Sequence, residues 1–211
     1  LRSCLDGEGR PVFSFSVSYQ NHGPYEWTYT ANETYLDPKT SGLPEESCYV
    51  FNNYLHGVNI TISAMTLLAQ QLEEMEEPVV LVFFGDHLPY LGDNQLAYAE
   101  LGFTARAEWD ALTSYETPYV IWANDAAAQA LDWEAAVASL DLPEDGRLSA
   151  SFLGAAVLEL TGRTGESPWF DFLNQLRREL PVVQKQAYQL ADGTVTDQLT
   201  EEQAAKIAKW R

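Results

Sequence analysis

Three histidines and two cysteines are the residues of this 211-residue chain best suited to chemistry near neutral pH. His87 follows Asp86 in Gly85-Asp86-His87-Leu88-Pro89, which sets an imidazole beside a carboxylate. Both are good ligands for a divalent metal. Neighbours on a tight turn can aim at one ion, because the turn breaks the two-face alternation of the strand before it. By itself Gly-Asp-His is a weak signal, since Asp also forms turns and His also serves as a satisfied neighbour. Its place directly after the apolar run Val79–Phe84 raises the ligand reading above that one. His22, in Asn21-His22-Gly23-Pro24-Tyr25, is weaker still, because a loop histidine is more often a surface residue or a structural donor. His56 lies in a helical stretch and reads as structural or solvated. Cys4 and Cys48 are either two unrelated thiols or one disulfide, the latter in an oxidising compartment. Their spacing suggests neither zinc nor redox work.

Three elements would position these groups. Val12–Ser18 alternates, with Phe13, Phe15 and Val17 on one face, and reads as a strand leading to His22. Val79–Phe84 lacks alternation and is rich in β-branched residues, as in a central strand buried on both faces. Pro118–Ala123, ending at Asn124, reads the same way. The three are expected in one sheet, with His22 and Asp86-His87 at the same edge, where open α/β sheets bind ligands. From about Val50 the period becomes helical, with Val58, Ile62, Met65, Leu72 and Met75 on one face, until Pro78. Further helices are expected near 126–131, 150–160, 169–178 and 201–209. Ser149 or Ser151 is a candidate cap, as is Thr200 with Gln203 three residues on. Tyr188–Thr196 reads as a hairpin around Asp192-Gly193.

The fold class is therefore α/β: a three-layer sandwich with a central, mostly parallel sheet covered by helices. A small C-terminal hairpin and helix, about residues 183–211, form an appendix within a single domain, residues 1–211. The 31 acidic and 12 basic residues give a net charge of −19. Such a surface repels nucleic-acid backbones and anionic headgroups and suits a protein that holds a divalent cation. No apolar run approaches the roughly 20 residues that span a bilayer. With Leu1 in place of an initiator Met, the chain reads as a segment cut from a longer protein.

Val82-Phe83-Phe84-Gly85-Asp86-His87-Leu88-Pro89-Tyr90-Leu91-Gly92 resembles the "FFGDHLP-x-LG" signature of lipoteichoic-acid-synthase-like sulfatases, in the alkaline phosphatase superfamily. Phe15–Tyr25 is similar to their strand and "NHGPY" segment, and Tyr54–Val58 to their "YLNSI" helix. Thr117–Asn124 is similar to their "TP-hydrophobic-N" strand. The ordered series, running over nearly the whole chain, is more specific than any one motif. The resemblance implies a partial alkaline-phosphatase-like fold and a metal-dependent phosphoglycerol transferase acting on a phosphatidylglycerol-type lipid. Asp86 and His87 match the metal ligands, with Mn or Mg expected and Ca or Zn compatible. His22 matches the residue that holds the substrate phosphate or its glycerol.

The nucleophile, a metal-binding Glu and a phosphate-binding Arg of that family precede the His22 strand, and only Leu1–Pro11 do so here. No catalytic residue can be assigned, and the isolated chain is expected to be inert. The resemblance implies a parent anchored in a bacterial membrane through its upstream region, with this part on the extracytoplasmic face. Two other readings stay open: a sulfatase acting on sulfate esters, and a noncatalytic envelope module. An upstream Thr would mark the transferase, and a formylglycine-forming Cys or Ser the sulfatase.

Overall fold

Acidic residues favour a helix start, where the backbone dipole is positive, and Glu45 and Glu46 open helix α1, Glu45–Glu73. The computed structural model describes residues 11–26, 28, 33–92, 96–103 and 111–210. The chain divides into two units, Leu1–Ala64 with Pro89–Phe103, and Met65–Leu88 with Thr104–Arg211.

In the first unit, Val50 and Phe51 of α1 pack with Leu91 and with Ala97 and Tyr98 of a short helix α2, Leu96–Glu100. Asn52, 1% exposed, pins the preceding loop to α1. Its Oδ1 accepts from the Tyr35 and Leu36 amides at 2.8 and 2.9 Å, and its Nδ2 donates to Leu36 O at 2.9 Å. Cys48 is a buried free thiol whose Sγ lies 3.2 Å from Ser41 Oγ, while Cys4 is outside the described residues. Of the expected helical face, Leu72 is buried but Ile62 is exposed, as are Ile60 and Leu67. Periodicity marks an apolar stripe; burial needs a neighbour opposite it.

Val12–Ser18 is not a strand. Phe13, Phe15 and Val17 are 90%, 68% and 81% exposed, and no described segment pairs with this stretch. Alternation favours extended chain, but a strand is completed by the ladder of a neighbour.

In the second unit, β1 (Val80–Phe84) and β2 (Tyr119–Ala123) pair antiparallel, from Val80 opposite Ala123 to Phe84 opposite Tyr119. The ribbon is half-buried, with Phe84 and Val120 exposed. Asn124 fixes its base and is fully buried. Its Oδ1 accepts from the Val79 and Ala127 amides, both at 2.9 Å, the second capping α3 (Asp125–Leu131). Its Nδ2 donates to Leu72, Met75 and Glu77 carbonyls at 3.1, 3.3 and 2.9 Å, satisfying the end of α1. Helix α4 is Trp133–Ser139.

Helices α5 (Ala150–Leu160) and α6 (Pro168–Glu179) form the main core through Phe152, Ala155, Leu173 and Leu176. Arg177 of α6 is buried, and desolvation pulls its pKa down. Glu159 pairs with it at 2.6 Å and opposes that shift; its Nε also donates to Asn174 Oδ1 at 2.8 Å, and Nη1 donates to Leu140 O. Strands β3 (Val182–Val183), β4 (Tyr188–Gln189) and β5 (Val195–Thr196) make a small antiparallel sheet. The Asp192-Gly193 turn joins the last two, with Gly193 at φ +84°. Helix α7 (Glu201–Trp210) opens with the expected reciprocal cap: Gln203 N donates to Thr200 Oγ1 at 3.2 Å, and Thr200 N to Gln203 Oε1 at 3.0 Å. Ser149 precedes α5 but does not cap it with its side chain; its Oγ accepts from Val183 N at 2.9 Å and so ties β3 down.

The architecture is mixed α/β with small antiparallel sheets. The expected mostly parallel central sheet is not among the described elements. The apolar runs mark β1 and β2 as strands, but the ribbon is half-buried rather than buried on both faces, and its strands run antiparallel. Among the described residues no helix is long and apolar enough to cross a membrane.

Candidate functional site

The Asp86-His87 loop leaves the end of β1 under backbone control. Gly85 N donates to Pro118 O at 3.1 Å, and Thr117 Oγ1 donates to Gly85 O at 2.7 Å. A Cβ on Gly85 would stand 3.1 Å from Thr117 Cβ, so glycine permits this close pairing. Beyond it, Asp86 Oδ1 accepts from His87 N at 2.9 Å. His87 Nδ1 lies 2.8 Å from Leu88 O. A carbonyl only accepts, so Nδ1 carries a proton, and in the neutral ring that leaves the lone pair on Nε2. That Nε2 is 3.5 Å from Asp86 Oδ2, on side chains 66% and 82% exposed.

This arrangement has the donor chemistry that metal ligands need. A carbonyl on the far ring nitrogen is the usual device for fixing a ligating histidine. Donors about 2.1 Å from a shared cation stand roughly 3.0–3.4 Å apart at octahedral to tetrahedral angles, close to the separation here. No third His, Cys, Asp or Glu joins them among the described residues. The pair therefore fits a divalent cation as part of a larger ligand set.

His22 lies in the first unit and is presented differently. The turn Tyr19–His22 closes with His22 N donating to Tyr19 O at 3.3 Å. Asn21 has φ +63°, a left-handed conformation that Asn tolerates better than most residues. The Asn21 side chain seats on α1 at Gly57: a Cβ there would fall 2.0 Å from Asn21 Oδ1 and 2.6 Å from its Cγ. Tyr25 OH donates to Asn21 O at 2.7 Å, and the Tyr25 ring meets Tyr54 of α1 edge-on at 5.6 Å. Burial first, and Tyr54 second, push the Tyr25 hydroxyl up to about 12, so it stays a donor. The His22 ring stacks on Tyr19 at 4.6 Å, and its Nδ1 donates to Gly23 O at 2.6 Å. His22 thus repeats the His87 arrangement, which in the neutral ring leaves the lone pair at Nε2.

Sequence reasoning singled out Asp86, His87 and His22 but missed what holds them. Thr117, Gly85, Asn21 and Gly57 all lie inside the quoted motifs. Glycine inside the helical stretch was the one available signal for the Asn21 seat.

The chain is 34% identical over 120 residues to a Rhizobium meliloti protein named as a cyclic beta-1,2-glucan modification protein, covering 54% of this chain and 18% of that one. It is 23% identical over 163 residues to an uncharacterized protein of Haemophilus influenzae, covering 77% and 25%. The chain therefore spans a quarter or less of these relatives' lengths. No solved structure matches it. Residues 1–163 match the family described as Sulfatase, and with most of its length inside that match the chain belongs to the sulfatase family, within the alkaline-phosphatase-like superfamily.

Proposed function

We propose that this chain is the downstream part of a metal-dependent phosphoglycerol transferase or phosphodiesterase of the lipoteichoic-acid-synthase-like kind. Asp86 and His87 would hold the cation, with Mn or Mg favoured and Ca or Zn compatible with a carboxylate and an imidazole. The observation that carries this reading is the Asp86-His87 geometry: one proton fixed on Nδ1, and Nε2 and Oδ2 3.5 Å apart. The family's dependence on metal supports it.

When bound, the cation polarises phosphoryl oxygens and lowers the pKa of an attacking hydroxyl. That hydroxyl, a threonine in this reading, comes from sequence upstream of Leu1. It attacks phosphorus, and the bond from phosphorus to the lipid oxygen breaks. The lipid leaves as diacylglycerol, taking the proton. The glycerophosphoryl group then passes to an acceptor hydroxyl or to water, and the threonine is restored. His22 holds the substrate: neutral, its Nε2 accepts from a glycerol hydroxyl; protonated, it donates to phosphate. The relative named for cyclic beta-1,2-glucan modification supports a glucan as acceptor. In this reading the reaction runs at the extracytoplasmic face of a bacterial membrane, in a parent anchored there, and the net charge of −19 argues against a nucleic-acid partner.

The test compares the 211-residue chain with the parent protein, on phosphatidylglycerol and on an aryl sulfate, with Mn²⁺ supplied. The parent is expected to turn over the phosphodiester, and Asp86→Ala or His87→Ala to abolish that. The short chain is expected to be inert and to bind Mn²⁺ weakly through Asp86 and His87. Turnover by the short chain that disappears in Asp86→Ala would sink the claim that the nucleophile lies upstream. Turnover of the aryl sulfate alone would favour the second reading, a sulfate-ester hydrolase, which the family's description supports.

A further inference from the structure

We propose that Asn21, Tyr25 and Gly57 are positioning residues for His22, forming a seat on α1 that fixes the histidine ring with Nδ1 protonated and Nε2 presented to substrate. The proposal rests on the reading of His22 as a substrate contact. Its structural part stands on the turn itself.

The seat has three parts. Gly57 is buried on α1, and the space its side chain would fill is taken by Asn21, whose Oδ1, Cγ and Cβ are the atoms nearest a Cβ placed there, at 2.0, 2.6 and 3.2 Å. Glycine weakens a helix interior relative to alanine, so its presence at this contact needs a local reason, and Asn21 supplies one. Asn21 is at φ +63°, so its carbonyl is turned out of line with the chain and is met by the Tyr25 hydroxyl at 2.7 Å. Tyr25 is itself held by the α1 ring of Tyr54 and by the cluster around Val50 and Phe51. The residue that follows this clamped peptide is His22. Its own amide is bonded to Tyr19 O at 3.3 Å, its ring lies within 13° of parallel to the Tyr19 ring, and its Nδ1 reaches Gly23 O. With the backbone fixed on both sides of Cα, the ring has one orientation that keeps both the stack and the Nδ1 bond. A free histidine favours the proton on Nε2; this turn selects the other tautomer through the carbonyl of Gly23.

The seat can be taken apart and partly refilled. Gly57→Ala drives a methyl into Asn21 and should unseat the turn. Asn21→Gly keeps the left-handed conformation but removes the side chain that docks. In the double variant Asn21→Gly/Gly57→Ala, the alanine methyl enters the emptied space, so helix packing recovers while the clamp on His22 does not.

The experiment is a long-range ¹H–¹⁵N spectrum of the 211-residue chain, with His22 assigned by its loss in His22→Gln, beside urea unfolding of each variant. The wild-type chain should show His22 protonated at Nδ1 and bare at Nε2. Gly57→Ala should lower the urea midpoint and shift His22 toward the Nε2-protonated form, with His87 unchanged. The double variant should regain the midpoint without regaining the His22 pattern, and Tyr25→Phe should shift that pattern part-way. A wild-type His22 pattern in Gly57→Ala would overturn the proposal, and so would recovery of both readouts in the double variant. If Gly57→Ala does not fold, an unchanged His22 pattern in Asn21→Gly and Tyr25→Phe overturns it equally. Titration of the wild-type chain with glycerol 3-phosphate separates the two readings: no shift at His22 removes it as a substrate contact, while the tautomer result still decides the seat.

Discussion

The His22 turn and the Asp86-His87 loop present an imidazole by the same local bond, Nδ1 to the carbonyl of the following residue, yet rest on different supports. His87 stands three residues past Phe84, the end of a hydrogen-bonded ribbon, and the contacts that lead to it are a backbone bond at Gly85 and a threonine hydroxyl. Among the described residues His22 has no ladder behind it and is placed by side chains: Asn21 on Gly57, Tyr25 on Asn21, Tyr19 on its own ring. A loop held by a ladder tolerates changes at its own side chains and fails when the ladder's base fails. A loop held by side-chain packing fails where that packing is touched.

The largest effect is expected at the base of the ribbon. Asn124→Ala removes a bond from two amides and three carbonyls, of which Leu72 O keeps the Met75 amide, and unfolding in urea should show a loss of about 3–4 kcal/mol. A loss under about 1 kcal/mol would mean the ribbon does not depend on this residue. Gly57→Ala should cost about 1–3 kcal/mol by overpacking against Asn21, more than its gain in helix propensity returns. A stabilised Gly57→Ala would show that the seat yields freely.

Tyr25→Phe should cost about 1 kcal/mol at neutral pH through the lost bond to Asn21 O. It also has a pH signature. The Tyr25 and Tyr98 hydroxyls are pushed up to about 12, mainly by burial, from the ordinary value of 10.0. Between those values the folded chain keeps protons that the unfolded chain has lost, so the stabilisation is full below pH 10.0 and disappears as pH rises toward 12. Urea midpoints across that range should fall for the wild type and fall less steeply for Tyr25→Phe; equal slopes would contradict the burial of this hydroxyl. The smallest effect is expected at the exposed pair itself. Asp86→Asn and His87→Gln should each change stability by less than about 0.5 kcal/mol, because neither side chain is packed. A larger change would mean the loop carries structural weight as well as ligands.

Local chemistry was legible wherever it is contained in a few neighbouring residues. The Asp192-Gly193 turn, the Thr200–Gln203 cap and helices α3, α5, α6 and α7 follow from spacing and capping, and all are present. Gly-Asp-His after an apolar strand was legible for the same reason, since the strand end and the loop adjoin in sequence. Ser149 shows the limit: it was legible as a cap, but a strand arriving from residue 183 takes its hydroxyl instead.

Sequence by itself determined the apolar strands, most of the helices, the acidic balance and the place of an Asp-His pair beyond a strand end, because each depends on neighbours within a turn or two. Tertiary structure decided the antiparallel pairing of β1 with β2, the exposure of Phe13, Phe15 and Val17, and the partners of Asn124. It also decided that a helix glycine makes room for Asn21. Those outcomes join residues tens of positions apart. Hydrogen-bond partners and steric gaps of that kind are set by which surfaces meet, and an alternating or apolar pattern is the same whichever neighbour comes to lie against it.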